Sequence, residues 1–485
     1  MTAKAVQPPA ADQRIKELRI LEAHYRPVAC RSTTPRFSEP LHPTADPLSH
    51  TVDEEGKISR TPFQHDRDKI LYSRPFRRLR LKSQIYPEQT SDHLRTRLDH
   101  TLEVSQLARH LGRRLRLNED LIDAIALGHD IGHPPFAHSG ERALHAFLRK
   151  RGMEGFKHNW QGLRIVDSLE RCYSTYLGLN LTRAVRIGIL HHTDLSYKKR
   201  PDEQASCDLM EVAESQGLIE SSTNWAFEIQ VCRLADDIAQ VIHDFEDAVI
   251  SGMISLKEVL VPKSNPFPLI DSCVDHVKLQ LSEEEFQSAF LDDHHTVLAL
   301  SRIRSRLIWV LTSDAIREAR PRLDDWETAL LAKCNLGGAD DEEPRILAFE
   351  EFCSGRGKFP ELIALSKDTA KKFSELKKKL QKRLVESYRI SRMDGKADYV
   401  LRRILEIYTR YPRQAPSALL EAYLRSVRID EEKFRSYTDE HLRQVGREPG
   451  FLRAAVDYVA GMTDRFALRE YDQLYSAYPQ RDNWA

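Results

Sequence analysis

The sequence predicts an all-α protein, and two observations support this fold class, while composition indicates an ordinary globular chain. Apolar residues recur three and four positions apart from Phe63 to the region of Tyr475, which is the spacing of one face of a helix. No segment shows the sustained apolar–polar alternation of β-strands, and no internal repeat is present. Hydrophobic residues make up 41% and charged residues 30% of the 485 residues, as in ordinary globular proteins.

The first elements can be placed in order along the chain. Residues 1–60 are rich in proline, threonine and serine, and we predict an irregular arm with one short helix near residues 12–24. Asn118 is expected to cap a later helix, which ends at Gly128, because its side chain can accept a hydrogen bond from a free backbone N–H. The helix before it is predicted to bury a leucine face, formed by Leu98, Leu102, Leu107, Leu111 and Leu115.

A loop is predicted after Gly128, because Gly132 and the two prolines that follow interrupt helix formation. Ser139 is expected to cap the next helix. A further helix is predicted over 225–248, and the charged segments at 195–210 and 335–345 are predicted to be surface loops.

Composition excludes several classes of protein. Lys+Arg and Asp+Glu are both 73, so no overall basic field favours nucleic acid or an anionic membrane. The seven cysteines include no Cys-x-x-Cys pair, which disfavours an extracellular disulfide framework. No signal-like segment or apolar run of transmembrane length occurs, so we expect a cytoplasmic protein without membrane partners.

Four side chains with the chemistry of metal ligands occur in a notable order. His100 lies on the leucine-faced helix, His129 and Asp130 follow the next helix, and Asp236 lies within 225–248. Two imidazoles and two carboxylates can hold one divalent ion and leave positions open for water and phosphate. One ion per subunit is therefore predicted, with Mn, Mg, Co, Ni, Fe or Zn all compatible with the donors. The order resembles that of the HD phosphohydrolase superfamily.

Longer blocks make the resemblance more specific. They comprise residues 62–69, 76–79, 95–104, 129–141, 234–238 and 457–471. Together they resemble the bacterial deoxyguanosinetriphosphate triphosphohydrolase-like family over about residues 60–475. The resemblance implies an HD-domain helical bundle with an additional helical C-terminal region. It also implies hydrolysis of dGTP, or of dNTPs generally, at the α-phosphate to give deoxynucleoside and tripolyphosphate.

The same resemblance assigns the metal ligands to His100, His129, Asp130 and Asp236, the first of two adjacent aspartates. It also implies that His138 and Glu141 form a catalytic pair. Because these two residues lie three apart at a predicted helix start, their side chains can face each other. A carboxylate orients a neighbouring imidazole and favours its protonated form. The alternative for Glu141 is an acid that only stabilises the helix dipole.

Four further residues are predicted to bind substrate. Arg97 lies one turn before His100, where a guanidinium can clamp an α-phosphate. The resemblance implies that His133 contacts phosphate and that Gln84 and Asp244 contact the sugar 3′-hydroxyl. Amide and carboxylate groups suit a hydroxyl, because it both donates and accepts. A structural or solvated role is the alternative for each.

Two positions depart from the family pattern. Gln240 stands where many relatives have a tyrosine near the sugar, so weaker discrimination against ribonucleotides is expected. His191 stands where relatives often have lysine. A phosphate contact is therefore expected to be weaker, or to be supplied by His192, Lys198 or Lys199.

Three units are predicted along the chain. Residues 1–60 form the arm, 61–260 the metal-dependent phosphohydrolase domain, and 261–485 a helical region that completes the substrate site, an oligomer interface or both. The basic stretch 366–384 is interpreted as a solvated helix face. The resemblance implies a dNTP substrate and a homo-oligomer, hexameric in the family, and leaves a regulatory nucleotide or single-stranded DNA open as a further partner.

Two alternative functions remain at this stage. The first is another HD-type nucleotide phosphohydrolase, either a nucleotidase or a phosphodiesterase, which the blocks at 62–69 and 457–471 disfavour. The second is a non-enzymatic sensor of nucleotides or single-stranded DNA with a vestigial site. The intact ligand set and the intact pair of His138 and Glu141 disfavour the sensor.

Overall fold

The computed structural model is described over two single residues, 218 and 259, and the ranges 11–42, 57–84, 95–193, 226–255, 267–278, 293–334, 342–354, 358–385 and 387–476. Regular structure within these ranges is helical, and β-pairing there is limited to isolated bridges. The all-α prediction is confirmed. Within the same ranges, no helix combines the length and apolar character that a bilayer crossing requires.

The helices of the N-terminal half pack around the predicted metal ligands. They are α1 Ala11–Leu21, α2 Pro35–Ser38, α3 Pro62–Tyr72, α4 Arg74–Arg78, α5 Arg97–Leu115, α6 Glu119–Gly128, α7 Ala137–Arg149, α8 His158–Arg164, α9 Arg183–His191 and α10 Phe227–Ile250. Helix α5 packs against both α6 and α10, and α3 packs against α6. The three helices that carry the predicted metal ligands are therefore neighbours.

Side-chain caps explain where these helices begin. Thr61 and Thr96 each form a capping box, with Gln64 and Asp99 respectively, at the starts of α3 and α5. Asn118 accepts a hydrogen bond from the backbone N–H of Leu121 and caps α6, as predicted. The helix runs from Glu119 to Gly128, with His129 at its C-terminal end.

Two expectations about this region are wrong. Leu102 is 49% exposed, because the buried face of α5 instead includes His100, Thr101 and other residues on the opposite side. Ser139 does not cap the next helix; it lies inside α7, and its hydroxyl donates to Asp394 of the C-terminal half. The helix begins earlier, after Phe136 and Ala137 turn the chain with φ of 62° and 53°.

The N-terminal arm is irregular, but part of it is buried. Tyr25, Cys30 and Phe37 belong to the main hydrophobic core. The buried guanidinium of Arg31 donates to backbone carbonyl groups, including that of Glu22 at 2.8 Å. This segment is therefore an integral part of the fold, although only α1 matches the helix predicted at 12–24.

The C-terminal half is a second set of helices. They are α11 Pro268–Lys278, α12 Asp293–Lys333, α13 Glu342–Ser354, α14 Lys367–Val385, α15 Tyr388–Arg410, α16 Ser417–Val427, α17 Glu431–Arg435, α18 Asp439–Val445, α19 Pro449–Ala460 and α20 Asp464–Tyr475. The surface loop predicted over 335–345 is wrong for its last residues, because α13 begins at Glu342. The loop predicted over 195–210 lies outside the described residues.

Two hydrophobic cores meet near the predicted metal ligands. The first core runs from Tyr25 to Leu380, and the second joins Phe136 and the apolar face of α7 to residues between 397 and 467. Helix α7 packs against α15. The first core thus continues past residue 260, and the three-unit division stays a prediction. The loop between α6 and α7 connects one core to the other.

Candidate metal centre

His129 presents one ring nitrogen to the interior of the site. It follows α6 with helical backbone angles, φ −61° and ψ −38°. Its Nδ1 lies 2.7 Å from the carbonyl oxygen of Ala126 and must donate to it, so Nε2 carries the lone pair. That Nε2 is buried and has no hydrogen-bond partner among the described residues. A buried nitrogen with an unused lone pair is what a metal ligand requires.

The other three predicted ligands converge on this nitrogen. His129 Nε2 lies 3.5 Å from Asp130 Oδ1 and 3.7 Å from Asp236 Oδ1. His100 Nε2 lies 3.0 Å from Asp236 Oδ1 and 4.0 Å from Asp130 Oδ2. Two imidazole nitrogens and two carboxylates grouped this closely fit one divalent ion. The four side chains come from α5, the end of α6 and α10.

The neighbouring aspartate faces elsewhere. Asp237 is 45% exposed and pairs with Lys377 of α14, whereas Asp236 is turned toward the histidines. Burial alone would raise the pKa of Asp236, but its contacts with the imidazoles of His100 and His129 hold it below its usual value. An ionised carboxylate is the form that binds a cation.

A row of side chains behind His100 sets its tautomer. His243 Nε2 lies 2.7 Å from Glu103 Oε2, and because a carboxylate only accepts, this nitrogen carries a proton. Burial is the main reason that the pKa of His243 is lowered to about 4, so the ring is neutral and Nδ1 accepts. His100 Nδ1, 3.1 Å away, must then donate. Its Nε2 keeps a lone pair for a metal ion.

This arrangement predicts that His243→Ala weakens Mn²⁺ binding about 10–100-fold, the usual effect of removing a group that orients a ligating histidine. Calorimetric titration with Mn²⁺ measures the change without relying on activity. His110→Ala is the matched control, because His110 is an exposed histidine on the same helix as His100. A Kd for His243→Ala equal to that of the control would contradict the role of His243.

Arg97 begins α5 and reaches the same carboxylates. One terminal nitrogen donates to Asp130 Oδ2 at 2.7 Å, while Nε and the other terminal nitrogen are buried without a partner among the described residues. Burial would raise the pKa of Asp130, but His129 and Arg97 hold it well below the usual range. Arg97 therefore fixes one ligand and retains donors for an anion.

Glu141 is shared by two histidines. His138 Nδ1 lies 3.3 Å from its Oε2, and His158 Nδ1 lies 3.2 Å from each of its oxygens. Burial would raise the pKa of Glu141, but the charge of His158 and the hydrogen bond from His138 hold it well below the usual range. The carboxylate is therefore ionised and orients both rings. The His138 side chain is 64% exposed, so a ligand in the cavity can reach it.

His158 is held on its other side by His192. Their Nε2 atoms are 3.2 Å apart, and His192 Nδ1 lies 2.7 Å from the carbonyl oxygen of Ile189. Burial lowers the pKa of His192 to about 3, so its ring is neutral and accepts at Nε2. His158 therefore faces the Glu141 carboxylate at one ring nitrogen and the accepting nitrogen of His192 at the other. The ring of His133 stacks on His158 with centroids 3.8 Å apart.

The residues predicted to bind the sugar form a hydrogen-bonded row. Gln84 Nε2 donates to Gln240 Oε1 at 2.8 Å, and Gln240 Nε2 donates to Asp244. Oε1 of Gln84 is buried and has no partner among the described residues. Burial raises the pKa of Asp244 to about 7. The row thus offers an open acceptor and a carboxyl group that can donate or accept near neutral pH.

One cavity of about 770 Å³ joins these parts. Of the predicted site residues, its lining includes Gln84, Arg97, His100, Asp130, His133, His138, Glu141, Asp236 and Asp244. Lys377 and Gln381 of α14 also line it. The 366–384 stretch is therefore not only a solvated face, which corrects the expectation from its basic composition.

Family comparisons agree with this geometry. A family described as the HD domain matches residues 97–216, and one described as the phosphohydrolase-associated domain matches residues 363–473. A solved structure of a hypothetical protein from Aquifex aeolicus overlaps 65% of this chain and 71% of its own, at 17% identity and a TM-score of 0.23. A TM-score this low supports no structural conclusion.

Curated relatives decide the family. A protein of Caulobacter sp. (strain K31) is 34% identical over 436 residues, covering 89% of this chain and 93% of the relative. One from Mesorhizobium japonicum is 32% identical over 461 residues, covering 94% and 96%. Both are named deoxyguanosinetriphosphate triphosphohydrolase-like proteins. The chain belongs to this family. It is therefore an HD-type nucleotide phosphohydrolase, and HD domains are generally metal-dependent.

In this triphosphohydrolase-like protein, His191 stands where relatives often have lysine, and it lies outside the cavity wall. His191 Nε2 contacts the carbonyl oxygen of Leu218 at 2.9 Å, and the residue is not part of the cavity lining. His192 does line the cavity, whereas Lys198 and Lys199 lie outside the described residues. Lys377 adds a cation that the sequence reasoning did not include.

Three further residues near the ligands were also missed. His243 lies seven positions after Asp236, and Glu103 lies three after His100, so each shares a helix face with a ligand. From this spacing, both residues could have been predicted to lie beside the metal ligands of this family member. His158 had no comparable local signal, because its link to Glu141 is made across a connecting loop.

Proposed function

We propose that the protein hydrolyses deoxynucleoside triphosphates at the α-phosphate, giving deoxynucleoside and tripolyphosphate. The observation that carries the proposal is the arrangement of one cavity. Three of the four candidate metal ligands, the unpartnered nitrogens of Arg97, the His138–Glu141 pair and the Gln84–Gln240–Asp244 row all lie in its wall, which supports this reaction. The names of the curated relatives support the same substrate class.

The phosphate end would be held by Arg97 and His133. The two buried, unpartnered nitrogens of Arg97 can donate to oxygens of the α-phosphate, and a guanidinium there offsets the charge that develops during attack. His133 also has an unpartnered buried Nδ1 among the described residues. Lys377 of the C-terminal region can extend this positive lining, which supports a role for that region in completing the substrate site.

Proton transfer is assigned to His138. Glu141 orients its ring through Nδ1, so Nε2 is the nitrogen left to protonate the departing 5′ oxygen. The second histidine on Glu141, His158, keeps this carboxylate ionised and in place. A divalent ion bound by His100, His129, Asp130 and Asp236 would supply Lewis-acid polarisation of the phosphate and activation of water.

The proposal is tested by the position of the broken bond. Hydrolysis of dGTP in ¹⁸O-water, followed by mass spectrometry, should place the label in tripolyphosphate and leave the deoxynucleoside unlabelled. Attack at the α-phosphorus breaks its bond to the 5′ oxygen, which leaves with the nucleoside. Formation of dGMP with pyrophosphate, or of dGDP with phosphate, would overturn the proposal. Turnover of dGMP alone would favour a nucleotidase.

Gln240 is expected to weaken discrimination between deoxyribose and ribose. A flexible amide leaves more room near the sugar 2′ position than a tyrosine ring, and one steric or apolar contact is worth about 1–3 kcal/mol. We therefore expect Gln240→Tyr to raise the dGTP/GTP ratio of kcat/KM about 5–150-fold. Steady-state kinetics with both nucleotides measures this ratio.

The Gln240→Asn variant separates the ring from the loss of the hydrogen bonds. It shortens the amide that joins Gln84 to Asp244 but adds no bulk near the sugar. Its ratio should stay at or below that of the wild type. An equal rise in both variants would show that the effect does not come from the ring.

A further inference from the structure

A second cavity lies away from the metal ligands. Its volume is about 650 Å³, and it is enclosed by α4, residues 164–171, α16, α19 and the start of α20. None of the predicted metal, catalytic or substrate residues lines it. This volume is within the range of small-molecule sites, about 300–1,000 Å³.

Arginines dominate the charge of this second cavity. Its lining includes five, Arg74, Arg78, Arg164, Arg171 and Arg425, but only two carboxylates. Both carboxylates are already engaged: Glu170 accepts from Arg74 Nε at 3.1 Å, and Asp457 accepts from Arg164 Nε at 3.2 Å. The cavity therefore carries an excess of positive charge.

Arg78 and Arg171 make up this excess. Arg425 pairs with Glu421 at 3.2 Å, whereas Arg78 and Arg171 form no salt bridge within the described ranges. The Nε of Arg78 is buried without an acceptor, and burial lowers the pKa of this guanidinium. Glu170 is the carboxylate whose charge favours Arg78, but its Oε1 accepts from Arg74, and a cation removed from water is unfavourable when its charge is only partly balanced. An anion with several oxygens would satisfy it, because a guanidinium matches phosphate geometry.

Part of the lining of the second cavity is apolar. Leu177 and Phe466 both line the second cavity, and they are 48% and 40% exposed. Alanine side chains of α16 and Met462 continue this wall. A ligand that fits the whole cavity therefore has an anionic end and an organic part.

We propose that the second cavity binds a phosphorylated small molecule, with its phosphates on Arg78 and Arg171 and its organic part against Leu177 and Phe466. Organic phosphates and inorganic polyphosphate both present phosphate groups to the arginines. The apolar wall favours the organic phosphate. The site is separate from the cavity in which hydrolysis is proposed, so its occupancy does not depend on that reaction.

Calorimetric titration with ADP and with inorganic pyrophosphate, both in EDTA, tests the proposal on the full chain. Arg78→Gln should weaken one class of ADP site at least about tenfold, the effect of losing a hydrogen bond to a charged group. Arg77→Gln is the matched control, since Arg77 is exposed on the same helix and does not line the cavity. Arg97→Gln should affect only the site at the metal ligands.

The outcomes separate the possible occupants. Tighter binding of ADP than of pyrophosphate at the Arg78-sensitive site supports the organic phosphate, and equal affinity overturns that assignment. Identical titrations for wild type, Arg77→Gln and Arg78→Gln overturn the site as a whole. The proposal is also overturned if Arg78→Gln dissociates an oligomer but binds ADP unchanged. That result would mean that the cavity is occupied by a second copy of the chain. Arg171→Gln, at an exposed position, provides the same test if Arg78→Gln does not fold.

Discussion

The His129→Ala variant is expected to lose its bound metal and to hydrolyse nucleotides at no more than background rate. His129 offers a buried Nε2 with no hydrogen-bond partner among the described residues, and the substitution removes one of the two ligating nitrogens that lie beside Asp130 and Asp236. The loss of Mn²⁺ affinity should exceed the roughly 100-fold upper limit for groups behind a ligand. Metal analysis of the purified variant, together with steady-state kinetics, measures both effects.

The adjacent aspartates provide the control for this prediction. Asp236→Ala should resemble His129→Ala, whereas Asp237→Ala should retain its metal, because Asp237 is 45% exposed and pairs with Lys377. Full metal content in Asp236→Ala together with loss in Asp237→Ala would mean that the ligand was assigned to the wrong residue.

The second large effect is expected for His138→Ala. This variant should retain metal and bind dNTP with little change, yet turn over at least about 100-fold more slowly, since general acids typically contribute about 10²–10⁴-fold. The physical reason is that His138 is exposed to the cavity and oriented by Glu141, but contacts none of the four metal ligands. Metal content, KM and kcat together distinguish this outcome from a structural defect.

His145→Ala provides a comparison on the same helix. His145 also lines the cavity, but its Nδ1 accepts from the backbone N–H of Phe156 rather than contacting Glu141. Its kcat should fall far less than that of His138→Ala. A kcat for His138→Ala that matches the wild type would remove this histidine from the mechanism.

Features that depend on local spacing could be predicted from the sequence. The cap at Asn118, the end of α6 at Gly128 and the loop that follows are set by residues within a few positions of each other. Helical order across most of the described chain follows from apolar periodicity in the same way. The four metal-ligand candidates were recognisable because His129 and Asp130 are adjacent and the others lie on clearly amphipathic helices.

Features that depend on tertiary packing were not predictable from that spacing. Lys377 reaches the cavity because α14 packs against α10. His158 meets Glu141 because the chain folds back after α7. The start of α7 was misplaced because Phe136, a non-glycine residue, takes a left-handed conformation, and its N–H is bonded by Asp464 from a distant helix at 2.9 Å.

The membership of α7 in the second core predicts an order of events when the protein is heated. His100, His129 and Asp236 belong to helices of the first core. His138 and Glu141 belong to α7, which lies in the second core and packs against α15. Loosening of the C-terminal helices would displace the proton donor while the ion-binding side chains stay in register. Inactivation would then precede metal release.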